Sequence, residues 1–128
     1  MKDTDSFFSE KSEESLNAAT VCFEKEYYNS CVNRAYYGMF QIAVALLFKS
    51  GYKPKSEKIG HDWVQAEFTR LFIWRTKRFP HLKNFLNEVR KLRDTADYAP
   101  EKINKKKAER VLDKAKTFIE QISEEVRR

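Results

Sequence analysis

The stretch Asn104–Arg127, NKKKAERVLDKAKTFIEQISEEVR, decides the fold class. Ala108, Val111, Leu112, Ala115, Phe118, Ile119, Ile122 and Val126 recur at steps of three and four, which places them in one stripe on one helix face. Lys105, Lys106, Lys107, Arg110 and Lys114, with several Glu, fill the other face. A helix divided this way lies on a surface and packs its stripe against other helices.

Further toward the N-terminus the same period recurs. Leu82, Phe85, Leu86, Val89, Leu92 and Ala96 share a face of a predicted helix opened by Pro80, a favoured first-turn residue, and running to about Tyr98. Ala99-Pro100 breaks it. Another helix is predicted from His61 to about Thr76, after a polar loop over 52–60 that contains Pro54 and Gly60. A helix from Cys31 to Lys49 stops at Gly51. The first helix is predicted over Asp5–Glu26, with Phe8, Leu16, Ala19 and Phe23 toward one side and a turn at Tyr27–Ser30. No strand-like alternation interrupts this series. Short links between long helices favour antiparallel neighbours. The expectation is an all-α up-and-down bundle of four to five helices, one domain over 1–128.

Composition agrees with that reading. Only 3 Gly and 3 Pro leave little chain for loops, and 10 Phe, 6 Tyr and 2 Trp can fill helix interfaces. Two cysteines, Cys22 and Cys31, are too few for a disulfide framework and read as small core residues in a reducing cytoplasm. The start, Met1-Lys2-Asp3-Thr4-Asp5, has no apolar leader, and the longest apolar run, Ile42–Phe48, is too short to cross a bilayer. No membrane role is expected. The net charge of +6 is one-sided: residues 1–64 hold 8 Lys/Arg against 9 Asp/Glu, and residues 65–128 hold 17 against 10. The second half can attract nucleic acid or an acidic partner, or simply present solvated helix faces.

Two segments sit awkwardly in such a core. Asn33-Arg34-Ala35-Tyr36-Tyr37-Gly38-Met39-Phe40 and Leu92-Arg93-Asp94-Thr95-Ala96-Asp97-Tyr98 each set an arginine and tyrosine into a helix that otherwise reads as apolar. A half-buried arginine is costly unless a partner is supplied. In the second helix Val32, Tyr36, Met39, Phe40, Ala43, Leu46 and Leu47 form one apolar face. The opposite side, Arg34, Gly38, Gln41 and Ala45, is nearly free of long charges. That face meets either a neighbouring helix or a second protomer. In the fourth helix Arg90, Arg93, Asp94 and Asp97 form a polar strip beside the core stripe, and Arg93 can pair with Asp97 four residues on. Such a strip holds helix ends together or offers a phosphate a fork of donors.

Taken together these segments resemble the HEPN domains (higher eukaryotes and prokaryotes nucleotide-binding). The likeness is to a small stand-alone prokaryotic branch. Its R-A-Y-Y-x-x-F helix is matched by Arg34 to Phe40, and its R-x-x-A-D-Y by Arg93 to Tyr98. A helix-start histidine with an apolar trail is matched by Gly60-His61-Asp62-Trp63-Val64-Gln65-Ala66-Glu67-Phe68. The resemblance implies a four- to five-helix bundle, often a homodimer with its motifs facing across a cleft. It implies either a metal-independent ribonuclease or a partner of a small nucleotidyltransferase-like protein in a toxin–antitoxin pair. In the nucleases the motif is R-x(4–6)-H with a polar residue after the arginine. Arg93 and Asp94 match it, whereas Tyr98 stands where the histidine is expected and no histidine follows His81. An unperturbed phenol, near pKa 10, moves a proton poorly at neutral pH.

The expected site is therefore Arg93, Asp94 and Tyr98 as catalytic candidates, with Asp97, Arg90, Arg34, Tyr37 and His61 lining the binding surface for RNA or a nucleotide. His61 and His81 otherwise read as helix-start residues with structural hydrogen bonds. Trp63, Phe68, Phe72 and Trp74 can stack on bases but fit a core or interface face better. The scattered Cys and His lack metal-ligand spacing, and no phosphate-cradling glycine loop exists, so neither metal nor cofactor is expected.

Overall fold

The structure, a computed structural model, describes residues 3–128. Met1 and Lys2, part of the N-terminal stretch read above for a leader, lie outside the described residues. Five α-helices follow one another: α1 (Thr4–Glu24), α2 (Tyr28–Lys49), α3 (His61–Phe68), α4 (Phe85–Tyr98) and α5 (Lys105–Arg127). Helix α3 continues without a break into a π-helix, Thr69–Arg75, and a single 3-10 turn, Pro80–Leu82, precedes α4. No described helix is long and apolar enough to cross a membrane.

Helix α2 is the axis of the bundle and touches α1, α3, α4 and α5. Its buried residues run round most of its circumference, from Cys31 and Val32 through Tyr36, Met39 and Ile42–Leu47. On α5 the buried set is the eight-residue stripe read from the sequence, Ala108 to Val126. Phe118 is fully buried and meets Phe68 with ring centroids 5.2 Å apart. Asn104 caps α5 by accepting from the Lys107 amide at 2.8 Å.

The back face of α2 is closed inside the bundle. Ser12 Oγ donates to the Gly38 carbonyl at 2.6 Å, and Ser15 Oγ lies 2.7 Å from the Gln41 side-chain amide. A Cβ on Gly38 would stand 2.9 Å from Ile119 Cδ1 and 3.4 Å from the Ser12 carbonyl. Gly38 thus lets α1 and α5 close on α2, and Ala45 is fully buried as well. The contact at this face is with neighbouring helices, not with a second copy. The side of α1 that faces the core is correspondingly small: Ser12, Ser15 and Ala19 are its buried residues, with Phe8, Leu16 and Phe23 partly covered.

Three boundaries differ from the sequence reading. Helix α2 starts at Tyr28, not Cys31, and the turn lies at Lys25–Tyr27. Glu26 adopts φ 64, and the amides of Glu26 and Tyr27 bond back to Phe23 and Cys22 carbonyls at 3.0 and 2.8 Å. This is a Schellman closure with a glutamate in the left-handed position. Gly51, φ 89, closes α2 the same way, with Tyr52 N–H to Leu47 at 2.9 Å. The third and fourth predicted helices also change: the former ends as a π-helix, and Pro80 starts a 3-10 turn rather than α4 itself. A non-glycine residue in the left-handed region costs roughly 1 kcal/mol. Glu26→Gly should therefore raise stability by about 0.5–1 kcal/mol, read as a higher urea midpoint; a lower midpoint would show that the Glu26 side chain supports the turn.

Candidate functional site

The polar residues of α2, α3 and α4 converge on one cluster. Helix α4 carries Arg93 on the edge of its core stripe, so the guanidinium is drawn inward and its side chain is only 12% exposed. It lies over the two tyrosines of α2, its carbon 5.3 Å from the Tyr36 ring centre and 5.7 Å from that of Tyr37. One Nη donates to Tyr37 Oη at 3.3 Å and stands 3.8 Å from Asp97; the other donates to Asp94 at 2.8 Å. The predicted pairing with Asp97 is present, and Asn33 of α2 also donates to that carboxylate at 2.9 Å. Arg93 Nε is buried without a hydrogen-bond partner among the described residues. An unmet buried donor of this kind costs about 1–3 kcal/mol.

His61, first residue of α3, enters the cluster from the other side. Its Nδ1 is 2.6 Å from Tyr36 Oη, and its ring packs 4.6 Å from Phe40 and 5.5 Å from Tyr36, centre to centre. Tyr37 makes an edge contact with the same imidazole at 5.9 Å. The histidine and the arginine thus share one pair of tyrosine rings. Burial, and then the charges of Arg90 and Arg93, push the His61 pKa below its usual 6.5, so the ring is neutral at neutral pH. Burial likewise pushes the Tyr36 hydroxyl up to about 12, which keeps it protonated. With Nδ1 engaged by Tyr36, the open nitrogen of His61 is Nε2, which has no partner among the described residues.

The remaining predicted residues surround this centre. Arg90 Nη donates to Asp62 at 2.6 Å and reaches Gln65 at 3.5 Å; that hydrogen bond holds the Asp62 carboxyl below its usual range. Arg34 stacks 5.2 Å from the Tyr37 ring centre and donates to Asn33 at 3.0 Å. Tyr98 is placed differently. It is 78% exposed and lines an open groove with Asn33, Arg34 and Asp97, away from the imidazole, and makes no hydrogen bond among the described residues. The sequence reading missed Tyr36 as a site residue because its spacing assigns it to the core stripe. Its place in the core is what lets its hydroxyl fix His61. Asn33 and Asp62 were also missed; each is adjacent to a residue already singled out.

The aromatic residues of the third helix divide. Phe68 and Phe72 are buried in the core, Trp63 is half-buried, and Trp74 is exposed. Cys31 is buried, which pushes its thiol up to about 11, whereas Cys22 is only partly covered. His81 bonds Gln121 of α5. Among the described residues no group of three His, Cys, Asp or Glu is placed to hold a metal.

Fold and cluster together define a class of protein: an up-and-down helical bundle whose polar centre, arginine, tyrosines and histidine, lies between three helices. The chain belongs to the HEPN family, whose HEPN domain matches residues 6–126. It is 36% identical over 111 residues to a Methanocaldococcus jannaschii protein named "Putative toxin MJ0142", covering 86% of this chain and 73% of that protein. A second protein of that organism, "Putative toxin MJ0605", is 32% identical over 113 residues, covering 88% and 81%. A "UPF0332 protein" of Thermotoga maritima is 32% identical over 124 residues, covering 91% of each.

Proposed function

We propose that this chain is a toxin-type HEPN module that binds RNA at the Arg93 cluster and cleaves it without a metal, with His61 in the role that the missing motif histidine would fill. The observation that carries the reading is the shared tyrosine pair: Tyr36 binds His61 at 2.6 Å while Arg93 lies over Tyr36 and Tyr37. An imidazole and a guanidinium that meet the same two rings can divide the proton transfer and the charge stabilisation of a phosphodiester transesterification between them. The toxin names of two relatives add support.

In this reading His61 is the tautomer whose Nδ1–H donates to Tyr36 Oη, and the ribose 2′-oxygen attacks the adjacent phosphorus as the free lone pair of Nε2 takes its proton. The P–O5′ bond breaks, and O5′ takes a proton from the imidazolium or from water. The products are a 2′,3′-cyclic phosphate and a 5′-hydroxyl. Arg93 stabilises charge on the phosphoryl oxygens. Asp94 and Asp97 orient its fork, and Arg34 and Arg90 attract flanking phosphates. Tyr98 packs on or hydrogen-bonds the substrate from the open groove and transfers no proton. A homodimer would use a face other than that of Gly38 and Ala45, which neighbouring helices cover.

The test compares His61→Asn with Tyr98→Phe in RNA cleavage. The expected loss is about 10²–10⁴-fold for His61→Asn and under about tenfold for Tyr98→Phe; the reverse order would return the proton transfer to Tyr98. The acidic limb of the rate–pH profile should fall below 6.5, because the shift is downward and the basic form of His61 persists to lower pH. A limb above 6.5 would be incompatible with His61 as the base.

A second reading is favoured by one observation: Asp94 and Asp97 already occupy the Arg93 donors. On it the chain is a non-catalytic module that binds a nucleotidyltransferase-like partner. Co-purification with such a protein, and no cleavage of any RNA, would select it.

A further inference from the structure

From Phe68 to Asn87 the chain has five basic residues, Arg70, Arg75, Lys77, Arg78 and Lys83, and no acidic one. This run includes the π-helix, which turns Trp74 outward, 58% exposed, while Leu71, Phe72 and Ile73 stay buried. Lys83 Nζ sits 4.5 Å from the Trp74 ring centre. Glu67 and Glu125 engage Arg70 and Arg78 at 2.8 Å each, but Arg75 and Lys77 have no ion-pair partner among the described residues. Lys77 holds φ 54, a left-handed conformation that a lysine adopts at a cost. An exposed indole with one lysine over its ring and two unpaired cations close by in the chain is the chemistry of a single-stranded nucleic-acid platform: bases stack on the ring and phosphates meet the charges.

The platform is continuous with the site. A groove of about 420 Å³ lined by Asp62, Gln65, Ala66, Thr69, Arg70 and Trp74 runs along α3, and its Asp62 end is the partner of Arg90. Trp74 follows Asp62 by twelve steps along the continuous helix, at most roughly 18 Å at the α-helical rise, a span of a few nucleotides. We infer that single-stranded RNA engaged at the Arg93 cluster extends along α3 and stacks a base on Trp74, with Arg75, Lys77 and Lys83 binding its phosphates. The inference rests on the RNA reading of the cluster and adds to it an extended binding path.

The test measures Kd for a short unstructured oligoribonucleotide, on the order of four nucleotides, and a longer one of about twelve, as a function of salt. It uses the full chain, Trp74→Ala, Trp74→Phe and the triple variant Arg75→Gln/Lys77→Gln/Lys83→Gln. Trp74→Ala should weaken the longer RNA about ten- to hundredfold and Trp74→Phe far less, with the short RNA little changed. The triple variant should lower the slope of log Kd against log salt by about 2. Unchanged affinity and slope in these variants, with RNA still bound by the full chain, would overturn the path and leave the cluster reading intact. Platform effects as expected, together with wild-type cleavage by Arg93→Ala and His61→Asn, would keep the path and remove the cluster. Loss of binding to an acidic polypeptide such as polyglutamate, with RNA affinity unchanged, would make this a protein surface and overturn the inference.

Discussion

Replacing Arg93 with alanine is expected to lower kcat/KM for RNA cleavage by about 10²–10³-fold, the usual effect of removing one preorganised donor from a developing oxyanion. The guanidinium is held at its face and at both Nη atoms: Tyr36 and Tyr37 rings against it, Tyr37 Oη and two carboxylates on its Nη atoms. A group held that firmly loses little reorganisation energy when charge appears beside it. Arg93→Lys keeps the charge but not the planar fork, so most of the loss should remain. The fold should survive. Asp94 is half exposed and Asp97 keeps its bond from Asn33, so both carboxylates are still solvated or paired. A stability loss of about 1–2 kcal/mol is expected, visible as a lower Tm with unchanged helical circular dichroism. Full cleavage by Arg93→Ala with only the Tm lowered would make Arg93 a strut between α2 and α4.

Gly38→Val is expected to cost about 3 kcal/mol or more, the largest stability effect of any single change considered. The Cβ alone already meets Ile119 Cδ1 at 2.9 Å and stands 3.4 Å from the Ser12 carbonyl oxygen and 3.5 Å from the Leu16 amide nitrogen, so the two γ-carbons of valine are added where the α1 backbone leaves no room. Ile119 can rotate; the α1 backbone cannot without releasing the Ser12–Gly38 hydrogen bond. Gly38→Ala should therefore be much milder, as it asks only the isoleucine tip to move. The urea midpoints of the two variants check this. A wild-type midpoint for Gly38→Val would mean that α1 stands off from α2, reopening that face to a second copy.

The parts legible in the sequence were those governed by local period. On α5 the apolar stripe and the buried set coincide because one face meets the bundle and the other meets water. Gly51 was legible because only glycine adopts its φ without cost; Glu26 makes the same turn and leaves no such mark. The π-helix was hidden because Thr69–Arg75 has ordinary helical composition, and the wider turn arises where Leu71, Phe72 and Ile73 must all reach the core. Ser12 and Ser15 look like surface residues in sequence. They are buried because Gly38 draws α1 close and Gln41 and the Gly38 carbonyl satisfy them.

At the site, the arginine strip of α4 was legible from its angle beside the core stripe. Its assembly with His61 was not. No spacing along the chain relates residue 61 to residue 93; only the packing of α3 and α4 against the same turn of α2 does. The motif register pointed instead to Tyr98, which lies about 1.4 turns beyond Arg93 and faces the outer groove.

The most direct measurement is cleavage of unstructured RNA by the purified chain in EDTA, with the product ends identified. The account predicts metal-independent cleavage that yields 2′,3′-cyclic phosphate and 5′-hydroxyl ends and falls about 10²–10⁴-fold in His61→Asn. Intact RNA at enzyme excess, or cleavage that His61→Asn leaves unchanged, would contradict it.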